Sequence, residues 1–137
     1  MIAPDTSVVL AALAPWHLGH VVARELLSAA QVRRLPVHVA FETCSTLSRM
    51  PEGERIAPEV VYRALEMLFP EPWLQLEALA ARRALATAVD AGVRGGALYD
   101  GLIAATAQAH GARLVSFDRR ALPTYESMGV DVQLTGL

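Results

Sequence analysis

The stretch from Ala97 to Asp118, ALYDGLIAATAQAHGARLVSFD, constrains the fold more than any other part of the chain. Leu98, Leu102, Ala105 and Ala109 recur at helical spacing, as do Tyr99, Ile103 and Thr106. Gly111 supplies a left-handed stop. Arg113 to Phe117 then reads as a short buried strand. A helix followed by a returning strand brings the helix start and the strand end to one edge. Asp100 and Asp118 therefore fall near each other although 18 positions separate them. The Ala-rich helix can lie close against a sheet, and two carboxylates at one edge suit a hard cation.

The length of 137 residues implies a single domain spanning 1–137, with an apolar fraction of 53% to build its core. All 12 basic residues are arginine, so any chemistry that needs a lysine is excluded. The net charge of −2 gives no global attraction for nucleic acid; binding RNA would need local Arg clusters and a metal ion. Cys44 is the only cysteine, which excludes an internal disulfide and points to a reducing, cytoplasmic setting. The apolar start, Met1 to Ala14, lacks a basic leader and carries Asp5 within it, unlike a signal peptide. No run approaches the ~20 apolar residues of a membrane span.

Taken in order, strands are expected at Ile2–Asp5, Pro36–Ala40, Trp73–Leu76, Arg113–Phe117 and Val130–Leu134. Pro4 cannot donate to a ladder, so its nitrogen must point where no partner waits. Helices are expected at Ser7–Leu13, Leu18–Ala30, Phe41–Met50, Pro58–Leu68, Glu77–Ala91, from Ala97 onward, and over Arg119–Met128. Pro58 sits well as a first helical residue. The alternation predicts an α/β fold with a central parallel sheet of four to five strands flanked by helices.

Ligands of such sheets bind at the carboxyl ends of the strands. Asp5 ends the first expected strand, Glu42 follows the second, Asp100 opens a helix and Asp118 follows a strand. Four clustered carboxylates repel unless cations neutralise them, and oxygen ligands select Mg²⁺ or Mn²⁺. Their obvious use is to hold ions that activate water against a phosphodiester. Thr6, Ser7 and Ser116 could support ligands or a phosphate oxygen.

The pattern resembles the PIN-domain family, and within it the small VapC-type ribonuclease toxins. The matching pieces are Asp5-Thr6-Ser7, Glu42 within Phe41 to Arg49, Tyr99-Asp100 with the following GLIAATA, and Leu114 to Asp118. The resemblance implies a three-layer PIN-like fold and a Mg²⁺- or Mn²⁺-dependent endoribonuclease, with Asp5, Glu42, Asp100 and Asp118 as its acidic site. It also implies a type II toxin–antitoxin pair, with a small VapB-type antitoxin as partner, and a homodimer. Pro4 and Ser116 depart from the commoner residues, but neither removes a carboxylate.

Plainer roles compete at each position. Asp100 and Asp5 could cap or turn the chain, Glu42 could favour a helix dipole, and Asp118 could pair with Arg119-Arg120. Occurrence together at one edge argues for a site. Arg119 and Arg120 are the arginines placed to contact RNA, because they follow an acid of that site. The other Arg pairs, His17 with His20, His38, His110, Cys44, Trp16 and Trp73 read as surface or packing residues. A haloacid-dehalogenase-type phosphatase would need an acid at position 7 and a lysine; the chain has Ser7 and no lysine. The remaining alternative is a catalytically inactive PIN-like module that binds RNA or protein.

Overall fold

A computed structural model describes residues 1–136. Its centre is a parallel sheet of three strands, β1 (Ile2–Pro4), β2 (Arg113–Ser116) and β3 (Val132–Leu134), in that spatial order. Ala3 stands opposite Leu114, and Leu114 opposite Val132. The expectation of four to five strands is too high. Arg33 bridges to Ile2, and Pro36 to Leu74, but neither contact extends into a strand.

Pro4 fits the sheet because of the alternation along β1. The Asp5 N–H donates to Val115 O across β2, whereas the Ile2 N–H points the other way, to Val32 O. Pro4 shares the orientation of Ile2, and the neighbouring chain makes its last bond to β1 through the Arg34 N–H to Ile2 O. No donor is therefore missed at position 4.

Among the described residues seven α-helices surround the sheet: α1 (Thr6–Leu13), α2 (His20–Ala29), α3 (Val37–Ser48), α4 (Pro58–Leu68), α5 (Ala78–Asp90), α6 (Ala97–Ala109) and α7 (Leu122–Met128). A 3₁₀ turn at Arg119–Ala121 leads into the last. Helix α1 packs on α2 and α3, and α3 on α4; α5, α6 and α7 form a second group. Both α1 and α6 lie against β2. Fully buried Val8, Val9, Leu27, Leu47, Ile103, Leu114 and Tyr125 contribute to one continuous core. No helix among the described residues is long and apolar enough to cross a membrane.

The boundaries follow local chemistry. Pro58 occupies the first turn of α4. Gly111, at φ +66°, ends the segment after α6 in the left-handed region that glycine enters without strain. Gly129 does the same after α7 at φ +75°.

Two sequence expectations need correction. Pro36–Ala40 is not a strand: α3 begins at Val37, and the Val37 N–H is bonded to Leu74 O. The alternating Val37-His38-Val39 suggested a pleat, but Val39, Ala40, Thr43 and Leu47 are the residues buried, which is one face of a helix. Trp73–Leu76 likewise retains only the bridge at Leu74. The α6 pattern also differs from a simple stripe. Gly101 and Ile103 to Ala107 are all buried because the helix lies between the sheet and its helical neighbours, while Tyr99 and Ala109 are exposed.

Leu114 lies on the central strand with no exposed surface. Leu114→Ala is expected to destabilise the protein by about 2–5 kcal/mol, read from urea unfolding. A change under ~1 kcal/mol would show that the sheet is not the centre of the core.

Candidate active site

The carboxyl ends of β1 and β2 lie side by side, joined by the Asp5 N–H to Val115 O bond of 3.0 Å. Beyond them opens a cleft of about 270 Å³, lined by Asp5, Thr6, Ser7, Leu10, Glu42, Thr46, Asp100, Asp118 and Tyr125. All four acids named from the sequence border it.

Asp5 is buried and caps α1, accepting from the Val8 N–H at 3.3 Å. It also accepts from Ser7 Oγ and, at 2.7 Å, from the buried Tyr125 hydroxyl. Ser7 Oγ accepts in turn from the Phe117 N–H at 2.9 Å, so one serine ties β1 to the loop after β2. Burial raises the Asp5 pKa despite these donors. Burial, followed by the charge of Asp5, also holds the Tyr125 phenol protonated well above its ordinary range.

Asp118 caps the 3₁₀ turn through the Arg120 N–H at 2.9 Å, and its own N–H donates to Ser116 Oγ at 2.9 Å. It makes no ion pair with Arg119 or Arg120 among the described residues. Both arginines are exposed beside it. Glu42 comes from the second turn of α3, not the helix start, so a role at the helix dipole is ruled out. Thr6 Oγ1 donates to Glu42 Oε1 at 3.0 Å, and His38 Nε2 lies 3.3 Å from the same oxygen. Asp100 lies in the first turn of α6 and caps nothing. Among the described residues its carboxylate has no hydrogen-bond donor.

The acid without donors also responds to its surroundings. The Asp100 pKa is pushed up to about 6, first by burial and then by the charges of Asp5, Glu42 and Asp118. The site is thus all-oxygen and internally repulsive, the donor chemistry that a hard divalent cation relieves. Among the described residues no three acids close into a ready-made ligand cluster. Donor type and charge fit such an ion, and side-chain rotation would have to complete the set.

Several other residues are accounted for by structure. Arg33 Nε donates to Leu68 O at 2.7 Å, and Arg34 Nε to Pro72 O at 2.6 Å, so this pair clamps loops. His20 Nδ1 lies 2.8 Å from Ala11 O, and His17 Nδ1 accepts from the Gly19 N–H, so the two do not form a metal pair. Trp73 Nε1 donates to Phe69 O. Sequence reasoning missed Tyr125 and the closeness of His38 to Glu42. Only the spacing of 38 and 42, one helical turn, could have suggested the second, and the strand assignment hid it.

A parallel sheet with acids gathered at its carboxyl edge defines a class of α/β domains with an acidic cleft at that edge. Comparison with known proteins narrows the class. The PIN domain pattern matches residues 2–126. Ribonuclease VapC40 of Mycobacterium tuberculosis is 42% identical over 134 residues, 98% of either chain. Ribonuclease VapC27 of the same species is 36% identical, covering 96% of this chain and 94% of that one. Among solved structures, FitAcB from Neisseria gonorrhoeae superposes with a TM-score of 0.70 at 25% identity, covering 96% of each chain. VapBC2 from Rickettsia felis, bound to a DNA fragment from their promoter, gives 0.69 at 16% identity over 98% and 99% of the two chains. The chain belongs to the PIN-domain family.

The electrostatics of the cleft can be read from stability. Between about pH 4 and 6 the folded, metal-free protein holds a proton on Asp100 that the unfolded chain has released, so stability falls as pH rises through that window. Burial of Asp5 acts in the same direction. Melts of metal-free protein should show a Tm that declines across this range, with a shallower slope in Asp100→Asn. Equal slopes would mean that Asp100 is not strained by its neighbours. Separately, Tyr125→Phe deprives buried Asp5 of a donor and should cost about 1–3 kcal/mol in urea unfolding at neutral pH. No loss would show that the phenol is replaceable by water.

Proposed function

We propose that the protein is a Mg²⁺- or Mn²⁺-dependent endoribonuclease and the toxin of a type II toxin–antitoxin pair. The observation that carries this reading is the gathering of Asp5, Glu42, Asp100 and Asp118 around one cleft. The names of the two ribonuclease relatives, 42% and 36% identical, support the same activity. An inactive module of this fold would be marked by loss of an acid, and all four are present.

Asp5, Asp100, Asp118 and Glu42 would hold one or two ions. Bound there, such ions activate water and stabilise the leaving oxygen of a phosphodiester. The protein's own contribution is placement. Ser7, Val8 and Tyr125 fix Asp5, the Ser116 and Arg120 contacts fix Asp118, and Thr6 orients Glu42. Arg119 and Arg120, free in solvent beside the cleft, are suited to RNA phosphates, which carry position more than sequence.

The partner reading is a small VapB-type antitoxin, with self-association into a homodimer and action in the cytoplasm. Exposed apolar residues support a protein-binding role: Leu18 and Val21 near the start of α2, and Leu79, Leu85 and Val89 along α5. Size measurement by light scattering, alone and after co-expression with the small adjacent gene product, tests both assemblies. A monomer that ignores that product would remove them.

Purified protein should cut RNA with Mg²⁺ or Mn²⁺ and stop in EDTA. Asp118→Ala should lower the rate by at least about 100-fold while leaving the fold intact, because removing a well-placed electrostatic group costs on that order. Cleavage that persists in EDTA, or equal cleavage by the variant, would overturn the reading.

A further inference from the structure

The two cleft acids carried within helices, Glu42 and Asp100, are each immediately preceded by an exposed aromatic residue. Phe41 precedes Glu42 on α3 and is 72% exposed; Tyr99 precedes Asp100 on α6 and is 56% exposed. The two are not equivalent. The Tyr99 ring lies parallel to His38, with centroids 4.9 Å apart and planes within 4°. His38 lies on α3 one turn before Glu42, its Nε2 3.3 Å from Glu42 Oε1 without a hydrogen bond between them. One face of Tyr99 is thus backed by a ring beside a carboxylate of the acidic cleft. Its side chain also borders a cleft of about 340 Å³ between α5 and α6, alongside Leu85, Ala88, Leu98 and Leu102.

Resting on the ribonuclease reading above, we propose that Tyr99 is a stacking platform for a nucleobase of the RNA strand, one that positions the neighbouring phosphate at the carboxylates. An aromatic ring stacked on a second ring presents a flat π-face with little freedom left to lose, and every base offers a matching face. Single-stranded RNA is recognised in this way, by bases splayed out onto aromatic side chains. The His38 ring links the platform to the site: it lies parallel to Tyr99 and has its Nε2 3.3 Å from Glu42 Oε1, so a base held by Tyr99 lies near the carboxylates. The apolar lining next to Tyr99 could equally receive a side chain of a protein partner. The parallel stack on His38, a ring that lies beside Glu42, favours the base.

The test uses a short single-stranded RNA that the wild type cuts, labelled with fluorescein, and the cleavage-deficient Asp118→Asn protein for binding. Adding Tyr99→Ala should weaken RNA binding by about 5- to 150-fold, the range of one base–aromatic stack. Tyr99→Trp and Tyr99→Phe should restore it. In otherwise wild-type protein, Tyr99→Ala should raise KM by a similar factor with kcat largely kept and the melting temperature unchanged. An abasic residue moved along the RNA should, at one position beside the cut, make proteins with and without the Tyr99→Ala substitution bind alike. Unchanged KM and Kd in Tyr99→Ala would overturn the proposal, as would equal losses on intact and abasic RNA. Unchanged RNA kinetics with weakened binding of the small adjacent gene product would assign the ring to a protein-docking face instead, and also overturn it. Failure of the wild type to cut any RNA would sink the ribonuclease reading and this proposal together, which separates the two failures.

Discussion

The buried carboxylate of Asp5 is the constraint on which the rest of the structure depends. A charge removed from water must find donors or be neutralised. Asp5 finds them in the helix it starts and at the far end of the chain. Ser7 and Val8 come from the helix it caps, the Ser7 hydroxyl reaches on to Phe117 after β2, and Tyr125 arrives from α7, 120 positions away. The same side chain therefore starts α1, registers the ends of two strands and pins the last helix. The donors do not fully offset the burial, since the Asp5 pKa still rises. What remains uncompensated faces the cleft.

This explains which parts of the site the sequence could convey. Asp5, Asp100 and Asp118 follow from chain direction alone: a strand end or a first helical turn on one edge of a parallel layer. The mutual approach of Asp100 and Asp118 was legible because one helix and one strand, joined through Gly111, fix it locally. Glu42 was found for an incorrect structural reason. Its expected strand is the start of α3, and it reaches the cleft from the second turn of that helix. The resemblance in its neighbourhood pointed to a residue that borders the cleft where the pattern of branched residues misled. Local propensity favoured a pleat over Val37–Val39, and tertiary burial of Val39, Ala40, Thr43 and Leu47 overrode it. Tyr125 was not legible at all. A tyrosine in a short helix carries no mark that its hydroxyl will meet a carboxylate from the other end of the chain. The strand count failed similarly, because Pro36 and Leu74 make a single bridge that no propensity separates from true strands.

The helices around the sheet divide the supporting work. Helix α1 supplies Thr6 and Ser7 on one side of the cleft, and α3 and α6 meet across it. Small residues make this approach feasible. Gly101 would bring an added Cβ to within 3.5 Å of the Ala88 side chain, so α6 lies close to α5 just beyond Asp100. Substituting bulk there would push the helix that carries the acid, which ties site geometry to packing rather than to any residue in the cleft.

The four acids fall into two physical kinds. Asp5 and Asp118 cap helical turns and are held by backbone and hydroxyl donors, so their oxygens are fixed whether or not anything is bound. Asp100 has no donor among the described residues, and Glu42 is restrained chiefly through Thr6. Burial, and then repulsion from the other three acids, falls on the unsupported member, and the Asp100 pKa is pushed up to about 6. In the proposed role a cation would compete with the Asp100 proton for the same oxygens. The two fixed carboxylates, Asp5 and Asp118, would receive it, and the two adjustable ones would rotate toward it with little disturbance of the fold. Such an arrangement stores the electrostatic tension at the position free to move, while the positions that start helices and register strands stay anchored.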